Sequence, residues 1–74
     1  MNQSGRDMLL AAGPSAEWPW AVVMANGFTA ADFVEITIWC DRELGAKGTA
    51  WDLHGNGWIF RQKSCAAQAC MTFG

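Results

Sequence analysis

The chain has 74 residues, enough for one domain (1–74) and no more, and 51% of them are hydrophobic while only 16% are charged. That balance argues against intrinsic disorder and calls for dense packing, with apolar surface left over for a partner or a second copy. The net charge of −2, with Arg6, Arg42, Lys47, Arg61 and Lys63 scattered along the chain, offers no basic patch for nucleic acid.

From the N-terminus, "SGRDMLLAAGP" reads as a short helix. Ser4 is a cap, and Gly13-Pro14 stops it. A frayed arm over 1–14 is the alternative. The five-residue apolar stretch Met8–Ala12 is too short for a signal peptide, and no run in the chain spans a bilayer. Three cysteines are a poor disulfide framework. The expected location is the cytoplasm of a host cell.

Residues 17–25, "EWPWAVVMA", predict a strand. Trp18, Trp20, Val22 and Met24 share one face, and Pro19, Ala21, Val23 and Ala25 share the other. Pro19 must lie near the start or on an edge. Residues 29–45 carry both periods. The helix signals prevail: Thr29 as cap, Asp32 in the first turn, and Gly45 where a C′ glycine belongs. Phe33, Ile36, Cys40 and Leu44 then form a core stripe at helical spacing.

In "AWDLHGNGWIFRQK", Asn56-Gly57 is a strong hairpin signal. With these two residues as the loop, Asp52 faces Arg61 across the ladder. Gly55-Asn56 is the neighbouring choice, which sets Asp52 against Ile59. Either choice puts Trp51, Leu53, Trp58 and Phe60 on one side and Asp52, His54, Ile59 and Arg61 on the other. The chain closes with a helix over "SCAAQACMTF", capped by Ser64, with Ala66, Ala69, Cys70 and Phe73 on one stripe. The expected fold is α+β: a three-stranded antiparallel sheet against one or two helices, in the order (α)-β-α-β-β-α.

Catalytic, metal and cofactor signals are weak. His54 has no sequence neighbour that could act with it as nucleophile and orienting group, so a solvated histidine is expected. Cys40, His54, Cys65 and Cys70 are a formal Cys₃His set. Cys65 and Cys70 diverge by about 140° on a helix, so Cys40 and Cys70 are expected as small core residues and no metal is expected. No nucleotide-binding, hydrolase or calcium motif occurs. The expectation is a non-enzymatic chain with no cofactor.

The contact face expected on the 29–45 helix is Val34, Glu35, Ile38, Trp39, Asp41 and Arg42. Val34 and Ile38 are an i, i+4 apolar pair outside the core stripe, Trp39 is on the other flank, and the charged strip runs between. The competing reading is that other elements cover one flank. The helix is net acidic, Asp32, Glu35, Asp41 and Glu43 against Arg42, which suits a basic protein surface.

Residues 38–74, with Trp39-Cys40, Leu44-Gly45, Gly48, Trp51, Gly57-Trp58, Phe60 and Phe73-Gly74, resemble small proteins encoded by phages and prophages. Anti-CRISPR proteins are among these. The resemblance implies a short, single-domain, non-enzymatic protein that works by binding a larger host or defence protein; the charge balance and the short apolar runs argue for no direct nucleic-acid or membrane contact. The alternative is a self-associating structural or assembly protein of a phage, for instance a homodimer.

Overall fold

The computed structural model describes residues 7–26, 29–55 and 57–73. The chain runs β1 (Asp7–Ala12), β2 (Trp20–Asn26), α1 (Ala30–Leu44), β3 (Trp51–His54), β4 (Gly57–Phe60) and α2 (Lys63–Phe73). The α+β class holds. The sheet has four antiparallel strands rather than three, in the order β1-β2-β4-β3.

The extra strand is β1, where a short helix or an arm was expected. Helix formers dominate Met8–Ala12, but five apolar residues cannot sustain a helix without packing. Strand β2 decides the outcome. It bonds to β4 on one side, and β1 takes its other side with Leu9 opposite Val23, Leu10 opposite Val22 and Ala11 opposite Ala21. Cross-strand pairing overrides local propensity. Pro19 falls just before β2 begins, where its missing N–H does no harm to the ladder.

One face of the sheet carries the core. Trp20, Val22 and Met24 of β2, Trp58 and Phe60 of β4, and Trp51 and Leu53 of β3 point to the helices. Val22, Trp51, Trp58 and Phe60 are at most 1% exposed, and Ile36, Cys40, Ala66 and Ala69 meet them from the two helices. α2 packs across β1, β2 and β4, its alanines allowing close approach. α1 presents the expected stripe: Ile36 and Cys40 buried, Phe33 and Leu44 half-buried. Phe33 stacks on Trp58 at 5.0 Å between ring centroids.

Both buried indoles find partners. Trp58 Nε1 donates to Thr37 Oγ1 at 3.1 Å, and Thr37 in turn donates to the Phe33 carbonyl at 2.8 Å. Trp51 Nε1 donates to the Gly45 carbonyl at 2.7 Å, tying the end of α1 to β3. Two large apolar rings are thus buried without an orphaned donor.

The helix ends are partly as expected. Thr29 and Asp32 form a full capping box, with Thr29 N–H donating to Asp32 at 2.9 Å and Asp32 N–H to Thr29 Oγ1 at 3.2 Å. Gly45 ends α1 at φ +100°, a conformation that favours glycine. Ser64 does not cap α2. The helix begins at Lys63, and Ala66 N–H already reaches the Gln62 carbonyl at 3.3 Å.

The hairpin uses the neighbouring register. His54 lies opposite Gly57, Leu53 opposite Trp58, Asp52 opposite Ile59 and Trp51 opposite Phe60. Gly57 is a strand residue, because a Cβ there would lie 2.2 Å from the Val22 carbonyl oxygen of β2. Gly55 takes the positive φ, +59°. The side assignment survives, since the two registers differ by an even step. Ile59, on the expected polar side, is 6% exposed between Ala21 and Asp52.

Arg61 therefore does not pair with Asp52. Its Nε donates to the Thr49 carbonyl at 2.7 Å, its guanidinium sits 4.0 Å over the Trp18 ring, and Nη1 lies 3.5 Å from the Glu17 carboxylate. One side chain thus joins the loops before β2 and before β3. Asp52 turns to its own strand and accepts from the Leu53 N–H at 2.7 Å.

Candidate protein-binding surface

The second stripe of α1 begins where the core stripe ends. Positions 31, 34, 35, 38, 39 and 42 repeat at helical spacing, rotated away from Ile36 and Cys40. α2 reaches this flank only with its last turn. Ala31, Val34, Glu35, Ile38, Trp39 and Arg42 of α1 and Thr72 and Phe73 of α2 line an open groove of about 750 Å³.

The apolar members are exposed. Val34 is 54% and Ile38 51% accessible, against 1% for Ile36 two positions away from each. Trp39 is half-buried, its ring meeting Phe73 edge to face at 5.6 Å and 90°. This contact anchors the tryptophan and makes it one wall of the groove. Glu35 and Arg42 place opposite charges on the exposed helix face between the apolar positions.

Of the residues expected at a contact face, Val34, Glu35, Ile38, Trp39 and Arg42 line the groove together. Asp41 is exposed on α1 but outside that lining. Ala31, Thr72 and Phe73 are the residues that sequence reasoning missed there. Phe73 sits on the apolar stripe of α2, but nothing in the spacing shows that α2 brings it to Trp39.

His54 is exposed at the end of β3, beside the turn and across from Gly57. The three cysteines are free thiols. Burial pushes the Cys40 thiol up to about 12, with nearby Cys65 adding to the rise, and burial also raises Cys70. Such thiols are protonated, weak nucleophiles and poor metal ligands near neutral pH. Among the described residues, no three His, Cys, Asp or Glu side chains gather into a metal-binding group. No described helix is long and apolar enough to cross a membrane.

No protein-family model, no curated protein and no solved structure matches this chain.

Proposed function

We propose that this chain is a non-enzymatic protein-binding module that inhibits a larger host or defence protein complex, in the manner of phage anti-defence proteins. The observation that carries the binding reading is the α1 groove. Two aliphatic side chains, each more than half exposed, lie beside an anchored Trp–Phe pair on a regular helix. Tryptophan is enriched among the residues that carry binding energy at protein interfaces. The phage context rests on the sequence resemblance alone. The acidic residues of α1, with Glu35 and Asp41 exposed, favour a partner with a basic surface.

The test is affinity capture from bacterial lysates containing defence complexes, with wild-type chain and the variants Val34→Asp and Ile38→Lys side by side. A stoichiometric partner that both variants lose supports the reading. Capture of nothing, or equal capture by the variants, overturns it. Charge reversal at Glu35 and Asp41 that leaves binding intact would remove the basic-surface detail.

The alternative, a self-associating assembly protein, draws on a different part of the molecule, the outer edge of β1, beyond which no strand lies among the described residues.

A further inference from the structure

The two edges of the sheet are unlike. β3 is four residues long and carries Asp52 and His54, charged or polar side chains of the kind that blunt an edge. At the other edge, β1 is longer. After Asp7 it reads Met8-Leu9-Leu10-Ala11-Ala12, with no charge, no proline and no glycine. The register shift against β2 falls between Asp7 and Met8, so the five residues that follow pair regularly. Leu9 is 53% and Leu10 41% exposed, on opposite faces of the strand. Among the described residues, no strand lies outside β1. Among the described residues its outward N–H and C=O groups meet no further strand, which makes the edge a template for one.

We propose that β1 pairs with β1 of a second copy of this chain, antiparallel about a two-fold axis normal to the sheet. The strand's own sequence argues for this occupant. A two-fold of this kind keeps each face on the same side, so residues across the junction must share a face, and the axis must pass through a residue rather than between two. Centred on Leu10, the register sets Met8 against Ala12 of the second copy and Leu9 against Ala11 of the second copy. Large side chains thus meet small ones on either side of the axis, where Leu10 meets Leu10 of the second copy. The product is a continuous eight-stranded antiparallel sheet with all four helices on one face.

This inference is independent of the α1 reading. α1 packs on the Trp51 and Trp58 side of the sheet, away from the β1 edge, so each copy in the dimer keeps its groove. Pairing through β1 would make the molecule bivalent.

Sedimentation equilibrium of the untagged chain over a range of concentrations tests it, alongside Leu9→Lys. Near-UV circular dichroism of the buried tryptophans reports whether the variant is folded. The expected result is a reversible wild-type dimer of twice the chain mass, with the dissociation constant raised about tenfold or more in the variant. Amide exchange in Met8–Ala12 should slow as wild-type concentration rises. Should Leu9→Lys fail to fold, Ala11→Lys, at an exposed position on the same face, replaces it. A single-chain mass at every concentration overturns the proposal. So does a dimer that the folded lysine variant leaves unchanged.

Discussion

At the scale of single residues, the core is decided by a few polar atoms and one missing side chain. Thr37 is the acceptor that lets Trp58 be buried, and a valine of the same shape would leave the indole N–H without it. Thr37→Val is expected to lower stability by about 1–3 kcal/mol, read from urea unfolding. Gly57 has no room for a Cβ against Val22. Gly57→Ala should destabilise by about 1–3 kcal/mol through overpacking, a drop in Tm of roughly 4–8 °C per kcal/mol. Cys40 makes a prediction about pH. Its thiol ionises near 9 when the chain unfolds and near 12 when folded, so the unfolded state is the more easily deprotonated. The contribution of this group to stability is complete below pH 9 and is lost as pH rises from there toward 12. The fall in stability over that range should be shallower in Cys40→Ala than in wild type, whatever the variant does to stability at neutral pH.

At the scale of elements, local chemistry and pairing contribute unequally. The Thr29–Asp32 box and Gly45 bound α1 as the residue types require, and Thr29→Ala should lower stability by about 1 kcal/mol in thermal unfolding. The hairpin is different. An Asn-Gly pair favours a loop at 56–57, yet the strand uses Gly57 because β4 is central and must pass close to Val22. That demand comes from a strand more than thirty residues earlier. Arg61 leaves the ladder for the same reason: with Asp52 set opposite Ile59, its side chain is released to join two loops. The second stripe of α1 was legible, because helical spacing separates Val34 and Ile38 from Ile36 and Cys40. Its depth was not, since Phe73 arrives from the far end of another helix.

At the scale of the whole molecule, two helices cover one face of a four-stranded sheet, and the core is small. A chain of this size has a total stability of roughly 4–11 kcal/mol. Phe60 is fully buried among Trp51, Trp58 and Val22. Phe60→Ala, at about 3–5 kcal/mol, should remove a large share of that stability, and near-UV circular dichroism on heating would register it as loss of tryptophan asymmetry at a much lower temperature than in wild type. The other face has no helix layer: Leu9 and Ala11 are exposed there and Val23 is half-buried, while Ala21 and Ile59 are buried nearer its centre.

The sequence by itself determined the class of the fold, the span and caps of α1, the sides of β3 and β4 that face the core, and the residues of the exposed second stripe. These depend on periodicity and on residues a few positions apart, where side-chain direction follows from backbone geometry. Tertiary structure alone decided that Met8–Ala12 is a strand, which residues turn the hairpin, where Arg61 goes, and that Phe73 meets Trp39. Each of these depends on what lies across the sheet or between helices. An apolar run of helix formers too short to hold a helix takes the conformation that its neighbour's strand requires. A glycine serves the close approach before it serves the turn.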